Sequence, residues 1–206
     1  TRSNPPRITG PSRAPITWYC SEDQEPVILH ADTEPLGQLV YGSEGAGKTM
    51  AACLWLYVRW LEVLGARREG GVTAPTTPRI TTVRNELFKL WPSSWYTHRV
   101  AEDLVVMADG TRIRLVSTHQ QSAADGSRIQ GFNWSFCVRD EGQDQIAAHA
   151  DIESRGRSAK GGRYKQLITA TAKDESSWRT LRDSLAASGL WLRRTMLGVR
   201  SPFVSP

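Results

Sequence analysis

The chain has 206 residues, of which 39% are hydrophobic and 23% charged, with a formal charge of +5. That size and composition suit one packed α/β domain with room for a short appendage. They exclude a membrane span, because the most apolar stretch, 50–64, is broken by Arg59 and Glu62 and falls short of the ~20 residues a span needs. The modest positive excess does not by itself imply nucleic acid. Cys20, Cys53 and Cys137 are odd in number and far apart, and two of them lie in apolar runs. They read as free thiols of a reducing compartment. His30, His98, His119 and His149 have no spacing with these cysteines that suggests zinc, so surface or hydrogen-bonded roles are expected. The chain begins on Thr1 with no signal-peptide pattern after it, as in a processed or excised chain.

Taken in order, residues 1–15 are rich in Pro, Arg and Ser and read as an extended or disordered arm. Residues 36–41 form a short apolar run into Gly42, the pattern of a buried parallel strand. A glycine-rich loop follows, then a helix over 48–64 whose apolar positions cover most of its circumference. "EGGVTAP" (69–75) predicts a second strand, and 78–90 a helix. "DLVVMADGTRIRLVS" (103–117) reads as a hairpin turning at Asp109-Gly110, a pair suited to a type I′ turn. "NWSFCVRDEGQD" (133–144) is an apolar run ending in acids, and "YKQLITATAKD" (164–174) is a further strand. Residues 178–185 and 190–197 close the chain as helix or mixed structure. The expected fold class is therefore α/β. Its sheet is expected to be mostly parallel, with helices on both faces and an added β-hairpin; the loop motif and the family resemblance set out below imply a P-loop NTPase of the RecA-like (ASCE) kind. The expected divisions are an arm at 1–34, a core at 35–175 and a helical or linker segment at 176–206.

"GSEGAGKT" satisfies G-x-x-x-x-G-K-[ST] in full through Gly42, Ser43, Glu44, Gly45, Ala46, Gly47, Lys48 and Thr49. Glycines let consecutive backbone N–H groups turn toward phosphate oxygens, and the following helix adds its positive N-terminal end. Lys48 is placed to reach the β- and γ-phosphates, and the Thr49 hydroxyl to ligate Mg²⁺. A hydrolase needs a second acid for the metal and a base for water. Asp140 and Glu141, at the end of an apolar run, supply one each, in the Walker B arrangement that follows a Walker A loop. A GTPase is disfavoured, since "TAKD" (171–174) lacks the [NT]-K-x-D spacing. Arg155, Arg157, Lys160, Arg163 and Lys165 lie among Gly156, Gly161 and Gly162. They make a basic segment that could follow a phosphate backbone, imitate a kinase lid, or simply be solvated.

Together these segments resemble the ATPase domain of the large terminase subunit, the DNA-packaging motor of tailed bacteriophages. The resemblance spans about 35–175 and rests on the order of the P-loop, "VTAPT" (72–76), "LFKLW" (87–91), the hairpin, "SRIQGF" (127–132), "VRDEGQD" (138–144) and "LITATA" (167–172). It implies ATP and Mg²⁺ as cofactors, Lys48 and Thr49 at the phosphates and metal, Asp140 on Mg²⁺, and Glu141 as the catalytic glutamate. Thr169-Ala170-Thr171 would be the coupling motif that senses the γ-phosphate. Arg128 matches the position of an arginine acting in trans on a neighbouring subunit's ATP. The implied setting is the cytoplasm of an infected bacterial host. There a homo-oligomeric ring works with double-stranded DNA, a portal protein and the small terminase subunit, away from membranes.

The sequence departs from the family in three places. Ser43 and Glu44 stand where many large terminases carry a P-loop arginine. Arg139 replaces the usual apolar residue before the metal-binding acid, and could contact DNA, a neighbour or an acid. The sequence stops at residue 206 without the nuclease into which large terminases usually continue, so an excised or separately encoded motor domain is expected. Trp18, Tyr19 and Gln24 are candidates to hold adenine, and the basic segment 155–165 to contact DNA. A helicase or other nucleic-acid-dependent ATPase, and a nucleotide-binding module without turnover, remain as alternatives.

Overall fold

The computed structural model describes residues 20–30, 34–119, 129, 131–156, 164–171 and 176–196. Eight strands form one sheet: β1 (Gly37–Gly42), β2 (Glu69–Ala74), β3 (Tyr96–Arg99), β4 (Leu104–Met107), β5 (Arg112–Ser117), β6 (Trp134–Arg139), β7 (Lys165–Ala170) and β8 (Trp191–Met196). Their order is β3-β4-β5-β2-β6-β7-β1-β8. The six adjacent strands from β5 to β8 run parallel, and β3-β4-β5 is an antiparallel extension. The glycine loop follows β1 and the acid pair follows β6, with β7 lying between those two strands. Loop, acids and the end of β7 therefore share the carboxyl edge of the sheet, where ligands of open parallel sheets bind.

Alternation along the strands sorts side chains between two faces. Val40, Val72, Val138 and Leu167 pack with α2 (Lys48–Glu62) and α3 (Thr77–Leu90) in the larger core. Leu39, Tyr41, Ile168 and Ala170 face Trp178 and Leu185 of α5 (Ser176–Ala187). Cys137 and Trp134 face Ala148 and, from α4 (His149–Gly156), Ile152. Helices thus cover both faces, as a buried parallel sheet requires. The glycines of β2 have a packing cause: a Cβ on Gly70 would meet the Phe136 ring at 2.2 Å, and one on Gly71 the Trp134 ring at 2.5 Å. The short α1 (Glu25–Leu29) is tied to α2, where Arg59 donates to the carbonyls of Leu29 and His30.

Three expectations are corrected. The turn at Asp109-Gly110 is not type I′, which needs positive φ at both central residues. Only Gly110 has it (φ +87°), and the Met107 N–H···O=C Thr111 bond at 2.8 Å closes a three-residue loop over 108–110. Asp109 instead turns inward and accepts from Trp60 Nε1 (3.0 Å), Gly65 N (2.9 Å) and Thr111 N (3.0 Å). The hairpin also gains the unforeseen edge strand β3. Finally, residues 191–196 are neither helix nor linker, because β8 pairs in parallel with β1 along its whole length. The sheet therefore continues past the expected end of the core at residue 175.

Candidate active site

Gly45 (φ +76°) and Gly47 (φ +79°) put the loop 42–49 into left-handed backbone that a side chain resists, and α2 begins at Lys48. Lys48 is 7% exposed, and its ammonium donates to the carbonyls of Gly42 (2.8 Å) and Ser43 (2.7 Å). Burial lowers its pKa, while Glu141, Asp140 and Glu44 act to raise it. Gln24 braces the loop from behind. Fully buried, it donates from Nε2 to the Gly47 carbonyl at 3.2 Å and accepts from Ser21 N at 2.9 Å. Its amide is thus engaged with backbone. The other two adenine candidates, Trp18 and Tyr19, lie outside the described residues.

The acids are delivered by β6. Asp140 N remains in the ladder, donating to Thr73 O at 2.8 Å, and the chain then leaves the sheet through Glu141, a non-glycine residue in left-handed backbone (φ 55°, ψ 53°). Asp140 Oδ1 accepts from Thr169 Oγ1 at 2.7 Å and from Thr49 Oγ1 at 3.3 Å. Burial raises the Asp140 pKa; the Thr169 bond opposes the rise and the Glu141 charge adds to it. Glu141 Oε2 accepts from Thr171 Oγ1 at 3.1 Å and from Gln143 Nε2 at 2.5 Å. Threonines two residues apart along an extended chain face the same side. Thr169-Ala170-Thr171 therefore puts one hydroxyl on each acid.

Gln143 was not foreseen. It is 1% exposed, and its Oε1 accepts from Thr171 N at 3.2 Å while Nε2 holds Glu141, so one amide joins Glu141 to the end of β7. The signal available in the sequence was its place two residues after Glu141 in "DEGQD". Gln145 does similar work in the backbone, donating to Asp140 O at 2.6 Å. Arg79 was also unforeseen. It stands in the first turn of α3 with its Nη2 3.9 Å from Glu141 Oε1, and lines with the loop a cleft of ≈ 620 Å³.

Arg139 faces the interior rather than the surface where DNA or a neighbour would bind. It is completely buried, donating to His149 Nδ1 at 2.6 Å and Gln145 O at 3.2 Å, with the charge of Glu153 nearby. It pins the end of β6 to α4. Lys165 is also removed from any exposed basic loop: it opens β7, is 5% exposed, and bonds Glu62 at 3.3 Å. Arg155 is half-buried on α4, with Nε on Asp151 O (3.3 Å) and Ser154 Oγ (3.0 Å). Arg128, Arg157, Lys160 and Arg163 lie outside the described residues, although Ile129 beside Arg128 is buried in the core under α4. Cys53 and Cys137 are buried and Cys20 is exposed, all three as free thiols. No helix among the described residues is long and apolar enough to cross a membrane.

The set can hold a polyphosphate and a magnesium ion. Backbone N–H groups and Lys48 supply positive charge, and Thr49 and Asp140 supply oxygen ligands that already meet. Among the described residues there is no cluster of three or more His, Cys, Asp or Glu that could cage a metal. Magnesium does not need one, since it keeps several waters and binds through one or two carboxylates plus substrate phosphates.

No family model matches the chain, and no curated protein does. Solved structures do. The large terminase of a thermophilic bacteriophage superposes with a TM-score of 0.74 at 16% identity, covering 91% of this chain and 48% of that one. The HK97 bacteriophage large terminase gives 0.65 at 12% identity, covering 90% and 40%. The ATPase domain of the Thermus phage P74-26 large terminase gives 0.55 at 17% identity, covering 77% and 67%. The chain thus spans about half the length of the first of these proteins, which has also been solved with ADP and with ATP-γ-S. With its glycine loop, acid pair and intervening strand at one sheet edge, the chain has the fold of the large terminase ATPase domain.

Proposed function

We propose that the chain is a magnesium-dependent ATP hydrolase, the motor domain of a large terminase that drives double-stranded DNA into a viral procapsid. The observation that carries this reading is the convergence of Lys48, Thr49, Asp140, Glu141, Thr169 and Thr171 at one sheet edge, each acid held by a threonine of the coupling motif. A module that only binds nucleotide has no use for a second acid fixed beside the first.

When bound, Mg²⁺ supplies charge to the phosphates. The chain's residues orient them and receive the proton of the attacking water. Lys48 would exchange its two loop carbonyls for phosphate oxygens, Thr49 and Asp140 would hold the metal, and Glu141 would take the proton. Loss of the γ-phosphate relaxes Thr169 and Thr171, which β7 carries into the centre of the sheet. In a ring seated on a portal, with the small subunit presenting DNA, Arg128 would complete the site of the next subunit. Arg155, Arg157, Lys160 and Arg163 are the proposed DNA contacts, in the cytoplasm of the infected host.

Linear double-stranded DNA is expected to raise Mg-ATP turnover by the assembled chain. Mixing Arg128→Ala with Glu141→Gln protein is expected to restore activity that neither has alone. Turnover indifferent to DNA, and no restoration in assemblies shown to contain both variants, would overturn the motor reading.

A further inference from the structure

The loop 42–49 has no arginine, yet charge developing on a transferred phosphoryl group needs a cation beyond Lys48. The described residues offer one within the same chain. α3 begins three residues after β2, and β2 is the direct neighbour of β6, which delivers the acids. That adjacency brings the first turn of α3 to the acid pair. Arg79 there lines the same cleft as Gly45, Gly47, Lys48, Thr49 and Glu141. Its Nη2 stands 3.9 Å from Glu141 Oε1, too long for a hydrogen bond and within reach of an ion pair. The side chain is half exposed, so it can swing without disturbing packing. Its charge is felt at both Lys48 and Asp140, the groups that flank the phosphate position.

Resting on the hydrolase reading above, we propose that Arg79 is an intrachain catalytic cation that leaves Glu141 for the γ-phosphate of bound ATP. Glu141 is then freed to act on water. In the reaction, the water oxygen bonds to the γ-phosphorus as the bond to the β,γ-bridging oxygen breaks. ADP keeps the electron pair, and the water proton passes to the Glu141 carboxylate. Arg79 exchanges no proton; its guanidinium meets negative charge that grows on the γ-phosphoryl oxygens. An arginine partnered by the base in the empty site would also hold back turnover until a γ-phosphate competes for it. ADP has no such group, so the contact distinguishes ATP from ADP.

The test compares affinities for Mg-ATP-γ-S and Mg-ADP in the full chain, diluted until light scattering shows monomers. Glu141→Gln serves as the parent, and Arg79→Ala and Arg79→Lys are added to it, with thermal melts to confirm folding. Arg79→Ala is expected to weaken ATP-γ-S binding about 10-fold (about 1.4 kcal/mol) and leave ADP within about twofold, since the charge-assisted contact is made only to the γ-phosphate. Arg79→Lys should fall between. Equal loss of both nucleotides, or loss of neither, overturns the role of Arg79 while the hydrolase reading stands. A parent chain that binds neither nucleotide overturns both.

Discussion

Asp140 shows how the site trades stability for chemistry. Its carboxylate is buried and its pKa is raised, chiefly by burial. A raised folded-state pKa means that the protonated form suits the fold. The associated stability is fully present below about pH 3.9, the ordinary carboxylate value, and is lost as pH rises through the shifted one. Asp140→Asn keeps an oxygen for the Thr49 and Thr169 hydroxyls and removes the charge. It should melt about 2–4 °C higher than wild type at pH 7.5, an advantage that fades toward pH 4, and should lose magnesium-dependent nucleotide binding. Lower stability at pH 7.5 would contradict this account of the acid. That Lys48, Thr49, Asp140 and Glu141 lie together at one sheet edge was legible, because the glycine loop and the acid pair each follow a strand end. Arg79 was not, because it meets Glu141 only when β2 and β6 lie side by side, and the tie from Gln143 to Thr171 appears only when β7 lies beside β6. Arg139 and Lys165 were misleading for the opposite reason, since a basic residue reads as exposed until an element is seen to cover it.

Among the elements, the loop between β4 and β5 carries more than a turn. Asp109 gathers the indole N–H of Trp60 at the end of α2, the backbone N–H of Gly65 after it, and Thr111. Trp60 in turn lies 6.0 Å from Trp95, itself stacked on Tyr57 at 5.2 Å. Asp109→Ala strands these donors and should destabilise the fold by about 2–4 kcal/mol, readable in urea melts. A change below about 0.5 kcal/mol would show that water or the backbone replaces the carboxylate. The element pattern was largely legible from 37 to 170, since apolar runs closed by Gly or Pro marked β1 and β2 and apolar runs closed by acids or threonines marked β6 and β7. β3 and β8 were missed. "YTHR" and "WLRRTM" are polar because each lies on an edge of the sheet, where only one neighbour shapes the sequence.

At the scale of the molecule, two neutral histidines hold separate elements together. His30 accepts from Trp55 Nε1 and contacts Pro35 O, linking the α1 segment to α2; His149 accepts from Arg139, linking β6 to α4. Burial lowers both to about 4, and the Arg139 charge adds to the effect at His149. A depressed folded-state pKa gives stability that is present above about pH 6.5, the unfolded value, and is lost as pH falls from there toward 4. Unfolding free energy should therefore fall by roughly 3 kcal/mol between pH 7.5 and 4.5, after allowance for the partial exposure of His149. A flat profile down to pH 5 would contradict the neutral assignments.

If the network joining β1, β6 and β7 at the carboxyl edge of the sheet hydrolyses ATP through Glu141, Mg-ATP affinity and steady-state turnover must part company in Glu141→Gln. The variant is expected to keep ATP affinity within a few-fold of wild type while turnover drops by about 10²–10⁴, the range a positioned base contributes. Turnover unaffected by the substitution would contradict that role of Glu141.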